Sequence, residues 1–142
     1  PHGLDVLSLL RLEKGHIIVH QDTDFDSTPR RIQHEWMVKM DKERFLGKPA
    51  LERTNALALD KALVGLELDG PPPFEGATVN YHNRYAGFVT SSGHSRVCGK
   101  SVMLAHLYTF DGALPEEVRV DGRPARRVSL PFYDKNGERA RA

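Results

Sequence analysis

Asp121-Gly122 stands between two short alternating runs, Glu116 to Asp121 and Ala125 to Leu130, and restricts the local fold tightly. Asp-Gly accepts the two positive φ angles of a type I′ turn, whose twist matches the strands it joins, so a tight β-hairpin is expected here. Earlier runs have the same character: Leu63 to Leu68, Thr78 to Tyr81, Tyr85 to Ser91 and Lys100 to Thr109. Gly, Pro, Asn and Asp punctuate them, most visibly at Gly70-Pro71-Pro72-Pro73. About six short strands with turn signals at close intervals predict a small antiparallel barrel or sandwich. The change in character falls near Asp60.

Residues 1–60 read as a mixed α/β lead-in. Leu4, Leu7 and Leu10 recur every third residue while Asp5, Ser8 and Arg11 take the other side, the period of an amphipathic helix. Gly15 should end it, because glycine closes a helix in the left-handed conformation without steric cost, and Lys14 suits the negative end of the helix dipole. Ile17-Ile18-Val19 is a β-branched run expected as a buried strand, and Asp22 to Ser27 an acidic loop. Thr28-Pro29 predicts a capped helix start running to about Glu35. Trp36, Val38 and Met40 alternate like a half-buried strand, and a further helix is expected from Pro49 to Ala56.

Several function classes are excluded early. A net charge of +1 gives no global attraction to nucleic acid or anionic lipid. No apolar run approaches the roughly 20 residues of a membrane helix, and no signal-peptide pattern is present, which places the chain in the cytoplasm. Cys98 is the single cysteine, so no internal disulfide or cysteine-built zinc site can form. A chain that opens at Pro1, without an initiator Met and with a helix almost at once, reads as part of a longer protein.

Three motifs invite chemistry and fail on spacing. Asp22-x-Asp24-x-Asp26 opens like a calcium loop, but the sixth position is Ser27 and the twelfth Gln33, where the glycine and the bidentate glutamate belong. Gly93 to Gly99-Lys100-Ser101 imitates a phosphate loop with five intervening residues where four are needed, and Val102-Met103-Leu104-Ala105 behind it reads as strand. The better reading is a glycine-bearing connection between two strands. The seven histidines show no zinc-ligand spacing, so no metal is expected. Cys98 has no base placed beside it by any pattern in the chain, and no catalytic residue is assigned. The charged residues singled out are Arg11 and Glu13, at the helix end. They are either a snorkelling arginine and a solvated carboxylate, or a guanidinium and a carboxylate offered to a ligand at a cleft.

Arg11-Leu12-Glu13-Lys14-Gly15, followed by Ile18-Val19, Gln21-Asp22-Thr23-Asp24 and Thr28-Pro29, resembles the C-terminal half of the glycine cleavage T-protein (aminomethyltransferase) family. The resemblance continues in order through Trp36-Met37-Val38-Lys39 and Arg44-Phe45-Leu46-Gly47-Lys48. It then takes in Leu63-Val64-Gly65-Leu66, Glu75-Gly76-Ala77, Gly87-x-Val89-Thr90-Ser91-Ser92 and Gly99-Lys100-Ser101. Pro131-Phe132-Tyr133-Asp134 closes it, and this ending together with the run from Ile18 to Asp24 is most similar to the sarcosine oxidase α subunit. Leu7 stands where T-proteins commonly carry a ligand-binding arginine.

The resemblance implies a mainly β fold with a mixed α/β lead-in, and at its C-terminal end a six-stranded, jelly-roll-like antiparallel barrel. It assigns residues 1–60 to the tail of a folate-binding aminomethyltransferase domain and residues 61–142 to the barrel domain. It implies a tetrahydrofolate-dependent one-carbon enzyme, in which an amine-bound one-carbon unit is captured as methylenetetrahydrofolate. FAD or NAD would belong only to other domains or subunits. Folate and a small amine are the implied ligands, and the upstream domain and further oxidase subunits the implied partners. The family's catalytic Asp and pterin-binding Glu lie in the earlier half of its length, so this chain is not expected to be active alone. Arg11, Glu13 and Trp36 are the folate- or substrate-binding candidates. A barrel that serves only to hold subunits together is the alternative.

Overall fold

The computed structural model describes residues 3–139 and 141. Helix α1 (Leu4–Glu13), a 3-10 turn (Glu35–Met37) and helix α2 (Lys48–Ala56) precede six strands. These are β1 (Lys61–Leu68), β2 (Thr78–Tyr81), β3 (Arg84–Ser95), β4 (Lys100–Tyr108), β5 (Glu117–Val120) and β6 (Arg123–Val128). They close into an antiparallel barrel in the order β1-β4-β3-β2-β5-β6. The expected hairpin is present: Val120 pairs with Arg123, and Asp121 and Gly122 both take positive φ, 47° and 77°.

Period-two alternation explains why β1 and β4 are buried along nearly their whole length. Ala62, Val64, Leu66 and Leu68 of β1, with Met103, Ala105 and Leu107 of β4, point into the barrel and join Val79, Val89 and Val120 in its core. The residues between them point outward. Leu63, Val102 and Leu104 form a second cluster with Leu12 of α1, against which Ile17, Leu130 and Phe132 pack. Helix α1 and the C-terminal segment thus share one outer flank of the barrel.

The lead-in departs from its expected course. Ile17-Ile18-Val19 is not a strand: Gln21 and Asp22 donate their backbone N–H groups back to Ile18, which makes a turn, and Ile18 and Val19 are exposed. Trp36 to Met40 is not a strand either, since residues 35–37 form the 3-10 turn and Trp36 and Met37 lie open to solvent. Where the lead-in does meet an open part of the barrel edge it is at Arg31, whose carbonyl accepts the Leu63 N–H at 2.7 Å, outside the stretch where β1 pairs with β6. Thr28 does cap, accepting the Arg31 N–H at 3.3 Å, but Gln33 turns to φ 56° and the segment stops as a turn rather than a helix to Glu35. Helix α2 ends at Ala56 as expected and begins at Lys48, one residue before Pro49, and Gly15 ends α1 with φ 68°.

Candidate functional site

Helix α1 docks with the side opposite to its leucine stripe. Leu4, Leu7 and Leu10 are exposed, whereas Leu12 and Glu13 are buried against β3 and β4. The last turn carries three charges, and each is held by the barrel or by the chain's C-terminal segment.

Arg11 donates from Nη1 to Asp22 Oδ2 at 2.7 Å and to the His16 carbonyl at 3.2 Å, and from Nη2 to Ser91 Oγ at 2.8 Å. Its Nε is buried and has no hydrogen-bond partner among the described residues. Asp22, fully buried, also accepts the Ile18 N–H at 2.8 Å on Oδ2, and the hydroxyls of Thr90 and Ser91 at 2.5 Å each on Oδ1. Neighbouring residues of a regular strand face opposite sides. The register shift between Val89 and Ser91 is the irregularity that lets both hydroxyls reach one carboxylate.

Glu13 is only 5% exposed and accepts the Ser95 hydroxyl at 2.6 Å, while Ser95 Oγ also accepts the Cys98 N–H at 3.1 Å. The Glu13 carbonyl takes the Tyr133 N–H, and Lys14 donates to the Asp134 carbonyl at 2.6 Å. One helix turn thereby joins the acidic loop, the middle of β3, the β3–β4 connection and the tail.

Beside this clamp lies His106, 3% exposed, its Nδ1 without a hydrogen-bond partner and its ring 5.4 Å from that of Phe88. Burial pushes its pKa below the usual imidazole value; Asp24 and Asp22 pull the other way and Lys61 adds to the lowering. Asp24 itself is lowered to about 2, chiefly by the hydrogen bond from Lys61 at 2.6 Å. Asp22, Asp24 and Asp26 do not converge: Asp22 faces inward, Asp24 is taken by Lys61 and Ser27, and Asp26 N–H bonds back to Asp24. Among the described residues there is no cluster of metal-ligating side chains. The imitation phosphate loop is the connection between β3 and β4, with Ser101 donating to the Gly70 carbonyl and Lys100 lying 3.8 Å from Glu67.

Residues 61–134 match the profile of the glycine cleavage T-protein C-terminal barrel domain, which covers more than half of the chain. The chain belongs to that family. An aminomethyltransferase from Rippkaea orientalis is 32% identical over 139 residues, covering 94% of this chain and 38% of that protein. One from Thermus thermophilus is 38% identical over 135 residues, 93% of this chain and 37% of that protein. The sarcosine oxidase α subunit of Rhizobium meliloti is 33% identical over 155 residues, 98% of this chain but 16% of that subunit. The crystal structure of the glycine cleavage system aminomethyltransferase T from Bartonella henselae superposes with a TM-score of 0.83 at 25% identity, covering 94% of this chain and 39% of that one. The chain thus spans less than two fifths of the aminomethyltransferases it matches.

Within this T-protein-type barrel, two of the three candidate residues come together and the third does not. Arg11 and Glu13 share the clamp, so neither is the solvated helix-end residue of the bland reading. Trp36 lies outside it, 77% exposed, its ring tilted against His34 at 6.0 Å. Asp22, Thr90, Ser91 and Ser95 were missed as partners. Asp22 was set aside with the acidic loop, and nothing local in Val89-Thr90-Ser91 signals a bulge. A groove of about 990 Å³ on the barrel wall, lined by Glu67, Asn80, Tyr81, Phe110, Glu117 and Arg126, includes none of the three candidates. Its charges alternate across paired strands, with Arg126 opposite both Glu67 and Glu117.

Proposed function

We propose that this chain is the C-terminal part of a tetrahydrofolate-dependent one-carbon enzyme of the aminomethyltransferase or sarcosine oxidase α type, acting in the cytoplasm. In this reading residues 1–60 are the tail of the folate-binding domain and residues 61–142 the barrel that closes it. One wall of the folate site would come from the end of α1 and from the lead-in. The observation that carries the reading is coverage: the chain aligns over nearly all its length with a little over a third of each aminomethyltransferase. The uncovered side of the lead-in agrees with it, since Leu4, Leu7, Leu10 and Trp36 point away from the barrel.

The residues fit a wall rather than a pocket. Trp36 offers an open ring face for stacking, whereas Arg11 is engaged by Asp22, His16 and Ser91 with its Nε buried, and Glu13 is buried on Ser95. The folate, when bound, would supply the N5/N10 pair that captures the one-carbon unit. This chain's share is to hold the lead-in rigidly against the barrel and to contribute surface. FAD or NAD, in an oxidase, would belong to other domains or subunits.

The saturation of Glu13 and the leucine at position 7 favour one second reading, a barrel that only joins subunits. Tetrahydrofolate titration by calorimetry separates the two, and Trp36, the single tryptophan of this chain, reports by fluorescence on the isolated chain. The isolated chain should bind more weakly than micromolar, because one wall leaves most of a ligand in water. The complete polypeptide should bind tightly. Submicromolar binding by the isolated chain would place the site elsewhere, and no binding by the complete polypeptide would leave the interaction module standing.

A further inference from the structure

The outer row of β4 is covered in steps. Val102, Leu104, His106 and Tyr108 alternate with the core residues Met103, Ala105 and Leu107, and so face away from the barrel interior. Leu12 of α1 seals Val102 and Leu104, and the acidic loop, anchored through Asp22 on Thr90 and Ser91, lies beside the buried His106. The cover stops at Asp24, which takes the amine of Lys61, the residue paired with Tyr108. On β3, Phe88 pairs with His106, and the ring of Tyr85 lies 6.1 Å from that of Tyr108. Residues three apart on a regular strand face opposite sides. Here the register slips, with Val79 of β2 paired to Gly87 but Asn80 to Tyr85, and both rings stay outside. Tyr85, Phe88 and Tyr108, 55%, 38% and 41% exposed, form an open aromatic step on a face that the lead-in has otherwise covered.

We propose that this aromatic step is a docking surface for the part of the same polypeptide that precedes this chain, so that the lead-in and that part share one wall of the barrel. This rests on the reading of the chain as the C-terminal part of a longer enzyme, and on nothing about folate. Clustered exposed rings mark interaction surfaces, and Tyr and Phe are enriched at interface centres within a polar rim, here begun by Lys61 and Asp24. A small molecule binds in a concave, enclosing site, and none of the three rings lines the groove on the barrel wall. Continuity and length name the occupant. The contacts of the lead-in end at the edge of the step, and this chain spans only 38% and 37% of the aminomethyltransferases it matches, so most of such a polypeptide remains to be seated. The wall of β5 and β6 suits it less, because Arg126 stands opposite both Glu67 and Glu117, and burying those charges would cost their hydration.

The test is hydroxyl-radical footprinting of the complete polypeptide, read by mass spectrometry at Tyr85, Phe88 and Tyr108 and referred to the same residues in the urea-unfolded polypeptide. Rings left as open as they are in this chain would be protected only about twofold to threefold, whereas rings at the centre of an interface should be protected about tenfold or more. The protection should be the same at high and low protein concentration. Tyr85→Ser/Tyr108→Ser should in addition lower the melting temperature of the complete polypeptide by about 4 °C or more. Protection of threefold or less, or a double variant that melts within about 1 °C of wild type, overturns the docking surface. Protection that grows with protein concentration overturns it too, and assigns the step to a second copy or another subunit. Tetrahydrofolate affinity is read on the same sample: tight binding with open rings overturns the docking surface alone, and protected rings without binding support it and overturn the folate reading alone.

Discussion

The barrel and the lead-in are built from the same kinds of residue but held by different forces. In the barrel, each strand finds its hydrogen bonds in two neighbours and its apolar residues in a shared core. The lead-in has one docked turn of helix resting on Leu12, a few turns, and polar anchors on the barrel: Arg11 to Ser91, Glu13 to Ser95 and Asp24 to Lys61. Its leucines at positions 4, 7 and 10 stay 81%, 51% and 47% exposed. A region that docks through Leu12, Ile17 and a few specific polar contacts, while its leucine stripe looks outward, is shaped for two neighbours at once. The barrel is one of them.

The largest effect expected from this contrast is at Gly87 in β3. Its φ is 148°, and a Cβ there would fall 1.8 Å from the His106 carbonyl oxygen of the paired strand. Backbone cannot yield as a side chain can, so Gly87→Ala should destabilise the chain by about 3 kcal/mol or more and unfold barrel and lead-in together. Urea denaturation followed by far-ultraviolet circular dichroism checks it, and a loss below about 1 kcal/mol would mean that the barrel is far more plastic than its closed ladder implies.

A smaller and more local loss is expected at Ser95. Ser95→Ala leaves the buried Glu13 carboxylate without its hydroxyl donor and the Cys98 N–H without its acceptor. The cost should be about 1–3 kcal/mol, felt in α1 before it is felt in the barrel. Hydrogen exchange resolves the two: amides of residues 8–13 should exchange faster while those of β1 and β4 stay protected. Equal acceleration in both would show that the lead-in and the barrel open as one unit.

The same contrast explains what could be read from the sequence. Strand positions were legible because their signals are local: Asp121-Gly122 needs only its own φ angles, and the alternation in Lys61 to Leu68 reports its own two faces. The strand expected at Ile17 to Val19 has the right residues, but the chain turns there: Gln21 and Asp22 bond back to the Ile18 carbonyl, and the Ile18 N–H goes to the buried Asp22 carboxylate. That carboxylate is held by residues of β3 far along the chain, which no local pattern reports. The clamp was half legible. Arg11 and Glu13 stood out as charges at a helix end, but their partners lie 11 to 82 residues away, and one of them depends on a bulge. The leucine period correctly marked a helix, and it could not say that the opposite side of the last turn, with Leu12 and Glu13, would be the one to dock.

An intermediate effect should follow from pH, at the seam between the two regions. His106 is buried with its pKa lowered, first by burial, so in the folded chain it stays neutral where a free histidine would take a proton. Below the ordinary value of 6.5 the unfolded state therefore binds more protons than the folded one, and stability falls as the solution is acidified through that window. Asp24, lowered to about 2, keeps its charge throughout and contributes nothing to the slope there. The melting temperature should decline from pH 7 to pH 5, and His106→Phe should flatten that decline by up to one proton. An unchanged slope in the variant would assign the acid sensitivity to other groups.

The smallest effect is expected where sequence alone would have predicted a large one. Leu7 and Leu10 are 51% and 47% exposed in this chain, on the side of α1 that faces away from the barrel. Replacing an exposed leucine that packs against nothing should change stability by no more than about 0.5 kcal/mol, and Leu→Ser also removes apolar surface that favours self-association. Leu7→Ser and Leu10→Ser should therefore melt close to wild type as isolated chains and remain more soluble on heating. In the complete polypeptide the same substitutions should cost markedly more, because there the stripe would meet the part of the protein that this chain does not span. Paired melting experiments on the two forms measure the difference directly. If Leu7→Ser or Leu10→Ser lowers the stability of the isolated chain by more than about 1 kcal/mol, the stripe is packed within the chain itself, and the lead-in has one neighbour rather than two.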